Sequence, residues 1–148
     1  MLGVHKNGAL SLVDFGCVRY YSAEFVTLIP KLLHAYRSKD SHAVITTYQK
    51  LGMVTDMSNS ELQSFYEKTL QPFGDWLTKP FKAGSFDFSS RSCSYTEEGW
   101  ASFKQLANVK KINDLANEFI YFDRTFFGLY LIFERMGATI NMEHPWLD

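Results

Sequence analysis

The sequence predicts a mainly α-helical (α+β) fold opened by a short β-hairpin, and three observations predict it. Two brief, partly alternating apolar runs flank Asn7-Gly8 at the start of the chain. Beyond residue 16, apolar residues recur at three- and four-residue spacing in several segments, most of them opened by a capping side chain. The 148 residues are 46% hydrophobic and 16% aromatic, enough for a sizeable core in one domain.

Taken in order, Leu2 to Lys6 and Ala9 to Val13 form the two strands, and Asn7-Gly8 suits a two-residue type I′ turn. A lone hairpin is marginal in water, so this one must pack on something else. Ser22 is the expected N-cap of the first helix, with Phe25, Ile29, Leu32, Leu33 and Tyr36 on one face. Pro30 falls inside that pattern and should either kink the helix or mark its restart. Asp40 caps a second helix that turns Val44, Ile45, Tyr48 and Leu51 inward and ends at Gly52.

A third helix is expected from Ser58 to Leu70, with Leu62, Phe65, Tyr66 and Leu70 apolar and Pro72 limiting it; Trp76 and Leu77 belong to a short continuation before Pro80. Lys79 to Ser94 reads as a loop anchored by Phe81, Phe86 and Phe88. Ser94-x-x-Glu97 has the form of a capping box, opening a helix that presents Trp100, Phe103, Leu106 and Ala107. The last and strongest helix is expected from about Asp114 to Met136, striped by Phe119, Phe122, Phe126, Tyr130 and Phe133. Ile120, Phe127 and Leu131 widen the stripe, so coverage on more than one side is expected. Gly137 ends the helix, and His144-Pro145-Trp146 forms a tail. No internal repeat or second domain is apparent, leaving a hairpin followed by five or six packed helices in a single unit over 1–148.

Composition excludes some functions. A formal net charge of −1 with scattered Lys and Arg gives no electrostatic footprint for nucleic acid, and no such partner is expected. Cys17 and Cys93 are expected as free thiols, and His5, His34, His42 and His144 are too widely spaced for a zinc site. The apolar run from Phe126 to Phe133 is far short of the roughly 20 residues of a membrane-spanning helix. No signal peptide is read at the N-terminus. An intracellular place is expected, cytoplasmic or peripheral to a membrane.

The informative element is Leu10-Ser11-Leu12-Val13-Asp14-Phe15-Gly16. An apolar strand delivers a carboxylate at its end, followed by an aromatic and a glycine that lets the chain turn. A hard anionic oxygen fixed at a strand end is what Mg²⁺ needs when it stabilises charge on phosphoryl oxygens. A bare Asp-Phe-Gly is weak evidence by itself; a hairpin leading directly into it is the arrangement found in kinase-like folds.

The run from Gly8 to Val18 resembles the corresponding stretch of the ubiquinone-biosynthesis atypical kinase family, the UbiB or AarF group. Phe25 to Asp40 is similar to that family's first helix after the motif. Phe119 to Gly137, with Arg124 and Gly128, is similar to its C-terminal helix. The absence of an Ala-Pro-Glu segment after Gly16 also favours the atypical family over standard kinases. The resemblance implies a C-lobe fragment of the protein-kinase-like fold, with Asp14 as metal ligand and Phe15 and Gly16 as its supporting turn at an Mg²⁺–ATP site.

Departures from the family bear on activity. The sequence has no Gly-rich phosphate loop, no strand lysine with its glutamate partner, and no catalytic-loop Asp or metal-binding Asn. The family's Asn would fall just before the hairpin, where Met1 stands. A divided gene, a truncated gene or a degenerate copy would each give this pattern. The chain alone is therefore expected to bind neither ATP nor Mg²⁺ and to be inactive. A separately encoded N-terminal kinase portion is one expected partner. The alternative is a non-catalytic helical interaction module or a gene remnant.

Overall fold

A computed structural model describes residues 2–7, 10–12, 18–54, 56–82, 84–89, 94–107 and 117–143. Its elements are mainly helical, as the apolar spacing predicts. Strands β1 (Leu2–Val4) and β2 (Leu10–Leu12) pair antiparallel, with Leu2 opposite Leu12, Gly3 opposite Ser11 and Val4 opposite Leu10. That register centres on Asn7. The hairpin forms as expected, and Gly8 and Ala9, on which the expected type I′ turn falls in part, lie outside the described residues.

Helix α1 (Ala23–Ser38) begins at Ser22, whose hydroxyl oxygen accepts from the Phe25 N–H at 3.2 Å. It runs unbroken through Pro30 and buries Phe25, Leu28, Ile29, Leu32, Leu33, Ala35 and Tyr36. Lys39, in the left-handed region (φ 57°), reverses the chain. Asp40 then caps α2 (Ser41–Lys50) through the Ala43 N–H at 2.9 Å. Val44 and Tyr48 are fully buried in α2, and Gly52 (φ 69°) ends the turn that follows it.

Ser58 and Glu61 form a reciprocal capping box at the start of α3 (Asn59–Phe65). Pro72 does not limit this helix. A π-helical turn over Tyr66–Leu70 leads straight into α4 (Gln71–Thr78), and the Gln71 N–H reaches back five residues to the Tyr66 carbonyl. In a regular helix a proline ring collides with the carbonyl four residues earlier. The wider π turn stands just before Pro72, where it replaces the regular i−4 geometry with which the ring would collide.

The described residues of the segment Lys79 to Ser94, 79–82, 84–89 and 94, hold regular elements where a loop is expected. A 3₁₀ turn (Lys79–Lys82) precedes β3 (Ser85–Asp87), which pairs antiparallel with β4 (Thr139–Asn141). Phe88 is buried, and Phe81 and Phe86 pack on the core as half-buried residues, so all three anchor this segment as expected.

Helix α5 (Tyr95–Ala107) starts next to Ser94, whose hydroxyl oxygen accepts from the Glu97 N–H at 3.3 Å. The main capping group comes from elsewhere. Glu134 of α6 (Asn117–Met136) accepts from the Tyr95 N–H at 2.5 Å, from the Thr96 hydroxyl at 2.5 Å and from the Ser94 hydroxyl at 3.1 Å. A carboxylate there suits the positive end of the helix dipole. Partial burial disfavours its charge. The hydrogen bonds from Thr96, Tyr95 and Ser94 outweigh that and hold the carboxyl below its ordinary 4.5. Glu134→Ala is expected to cost about 1 kcal/mol near pH 7, the worth of a good cap. Because the folded pKa is depressed, this contribution is present above pH 4.5 and disappears as pH falls through the folded value. Urea titrations of both chains at pH 7 and in acid check this: the gap between the two must close on acidification.

The core is knitted by aromatic residues. Helix α4 packs against α1 on one side and α5 on the other, and α5 packs on α6. Trp76 of α4 donates its indole N–H to the Tyr95 carbonyl at 2.8 Å, while the Tyr95 hydroxyl donates to the Trp76 carbonyl at 2.5 Å. The Tyr130 hydroxyl donates to the Leu77 carbonyl at 3.2 Å. Two expectations for the helix faces need correcting. Trp100 is 52% exposed, because the inward position belongs to Gly99, which is buried and whose missing Cβ makes room for the Trp76 ring. Leu131 is also exposed, so the outer face of α6 is open while Phe119 and Tyr130 lie buried on its inner face.

Candidate functional site

Asp14, Phe15 and Gly16 lie outside the described residues, as do Cys17, Cys93 and the His144-Pro145-Trp146 tail. The elements on either side of the motif are described. Upstream, β2 ends at Leu12 in register with β1, and His5 Nε2 lies 2.6 Å from the Ser11 hydroxyl across the hairpin. Downstream, the chain is fastened to α6. The backbone N–H of Ser22 donates to Glu118 Oε1 at 2.5 Å and its hydroxyl to Oε2 at 2.9 Å. The Arg19 guanidinium sits over the Tyr121 ring, 4.3 Å from its centroid. The sequence thus encodes a strand leading into the motif and a helix leading out of it, with the exit tied to the last helix.

Beside this exit a cavity of about 540 Å³ opens between α1 and α6. Its walls are Phe25, Val26 and Ile29 on one side and Phe122 and Phe126 on the other, with Tyr21 at one end. Tyr21 stacks on Phe25 with ring centroids 5.0 Å apart, and Phe25 meets Phe122 edge-on at 5.8 Å. The lining is almost wholly apolar, and Val26 in its wall is exposed, as are Val18 and Tyr20 in the segment that precedes Tyr21.

Two side chains of α6 matter in ways the sequence reading missed. Glu134 is one. The other is Asp123, 4% exposed, whose two carboxylate oxygens have no hydrogen-bond partner. Burial raises its pKa from 3.8 to about 8. Phe119, Asp123, Phe126 and Tyr130 follow one another at four, three and four residues, so helical spacing alone puts this acid on the apolar stripe. His34 and His42 are exposed, as expected from their helix faces. Among the described residues, no three His, Cys, Asp or Glu side chains gather as a metal site. No helix of those residues is long and apolar enough to cross a membrane.

Comparison with characterised proteins agrees with the family resemblance in outline. The chain is 24% identical over 135 residues to a protein of Saccharomyces cerevisiae named "Atypical kinase COQ8, mitochondrial". The match takes in 89% of this chain. The two are distantly related. The chain spans about a quarter of the kinase's length, 26%. No protein-family profile and no solved structure matches. The relation to the atypical kinase therefore rests on sequence, and the mainly helical architecture is consistent with a fragment of such a protein.

Proposed function

We propose that this chain is the C-terminal portion of an atypical kinase or ATPase linked to ubiquinone biosynthesis, with Asp14 as the metal ligand at an Mg²⁺–ATP site. The observation that carries the reading is the similarity to an atypical kinase across most of the chain. The Asp14-Phe15-Gly16 motif at the end of a hairpin supports it, because β1 and β2 pair directly before the motif. In such a site the metal neutralises charge on the phosphates, and Asp14 would supply one oxygen ligand. Phe15 and Gly16 would be the supporting turn of that ligand, as the family resemblance implies.

A single carboxylate holds Mg²⁺ poorly, since this ion keeps much of its water. Adenine binding, phosphate positioning and the base would come from an N-terminal kinase portion. The purified chain is expected to show no ATP turnover. Combined with that portion it is expected to turn over ATP, and Asp14→Asn should reduce the rate to background. Turnover by the chain alone, abolished by Asp14→Ala, would overturn the division of labour.

A second reading is favoured by one observation, the apolar cavity between α1 and α6 with exposed Val26 in its wall. On this reading the chain is a non-catalytic helical interaction module, or a degenerate gene remnant. Activity of the reconstituted kinase that is unchanged by Asp14→Asn would support it.

A further inference from the structure

Asp123 combines a charge-bearing group with surroundings that do not suit a charge. It lies on the inner face of α6 at 4% exposure, with both oxygens unpartnered. From α1 and α2, the titratable groups that share its field are Tyr36 and Tyr48, both fully buried. Their hydroxyls bond to each other at 2.8 Å rather than to the acid. Tyr66 of the π turn acts on Tyr36 behind them. On α6 itself, Glu118 is engaged with Ser22, and Arg124 is exposed. Burial is the cause that acts on Asp123, and no Lys or Arg among the described residues offsets it. Around it the N-terminal half of α6 is held by aromatic edges, Phe119 against Tyr48 at 6.1 Å and Phe122 against Phe25 at 5.8 Å.

An unpaired carboxylate in such a core is strongly disfavoured, whereas the neutral acid leaves only ordinary polar groups to be accommodated. We propose that Asp123 is a proton-dependent latch. As the neutral acid it lets the N-terminal half of α6 pack on α1 and α2, and its ionisation releases that half.

The unfolded chain gives up this proton near pH 3.8 and the folded chain near pH 8. Between those values the folded state holds one more proton, so stability is greatest below the lower value and falls as pH rises toward the upper one. One extra proton raises the unfolding constant about tenfold per pH unit.

The test is urea unfolding of the full chain from pH 5 to 9, with amide-exchange protection factors read along α6. The expected result is a tenfold-per-unit rise in the unfolding constant up to about pH 8, absent in Asp123→Asn. Protection over Phe119–Phe126 should be lost at lower pH than protection over α4. A flat pH dependence in the natural chain, or the same slope in Asp123→Asn, overturns the proposal. Should the variant fail to fold, the infrared carboxyl signal of labelled Asp123 decides. A neutral acid at pH 6 is expected, and an ionised one sinks the latch.

Discussion

Trp76→Ala is expected to lower stability by about 3–5 kcal/mol, the usual cost of emptying a buried aromatic site. Trp76 is 5% exposed and touches four rings: Phe127 at 4.8 Å, Tyr95 at 5.3 Å, Tyr130 at 5.8 Å and Phe73 at 6.0 Å between centroids. These rings belong to α4, α5 and α6, so one truncation opens the junction of three helices. It also strips the buried Tyr95 carbonyl of its indole donor, adding about 1 kcal/mol or more. Thermal unfolding followed by circular dichroism should show Tm falling by roughly 10 °C or more for a chain of this size. Trp76→Phe, which keeps ring packing but not the donor, should lose a fraction of that. Equal losses for the two variants would mean that the hydrogen bond, not the ring stack, organises the junction.

Gly74→Ala is also expected to be damaging, though less so and for the opposite reason. A Cβ at Gly74 would lie 1.9 Å from Tyr36 Cδ1 and 2.3 Å from Cε1 and Cγ. Tyr36 cannot swing aside freely, since it is fully buried and its hydroxyl bonds to Tyr48. Alanine gains about 1 kcal/mol over glycine in a helix. Overpacking of this severity costs about 3 kcal/mol or more, so the net effect is a loss of roughly 2 kcal/mol. A double-mutant cycle with Tyr36→Leu isolates the clash. The methyl group should be far less costly once the ring is gone. If Gly74→Ala is equally destabilising with either residue at position 36, backbone approach rather than the Tyr36 ring sets the requirement for glycine.

How far the sequence reveals the fold depends on whether each determinant is local. Ser22, Asp40 and Ser58 mark helix starts because a cap acts within three residues of itself. Pro72 misleads because a proline normally ends a helix, and nothing in Tyr66–Leu70 announces the π turn that accommodates it. Strand β3 reads as loop because Ser85–Asp87 is three residues long and its partner lies at Thr139–Asn141, on the far side of α5 and α6. The hairpin is legible in the two apolar runs around Asn7-Gly8, whose strands pair antiparallel as expected. Trp100 is expected inside because a large aromatic outranks a glycine in any apolar count, yet Gly99 takes the inward place.

The candidate site is legible only as a motif. Asp14 gains its meaning from the strand before it and the resemblance around it, and neither hydrophobic periodicity nor charge would single it out. Glu134 and Asp123 were missed because acidic residues on a helix are ordinarily assigned to solvent. Helical spacing held the correction for Asp123, whose position repeats that of Phe119 and Phe126.

The buried acid also alters how the protein behaves as a colloid. The formal charge of −1 counts every carboxylate as ionised. With Asp123 holding its proton at pH 7, that one negative charge is withdrawn and the formal charge becomes zero. Molecules without net charge repel one another least, so they precipitate most readily. The solubility minimum of this protein is therefore expected close to neutrality, above the isoelectric point of 6.4 that the sequence alone implies.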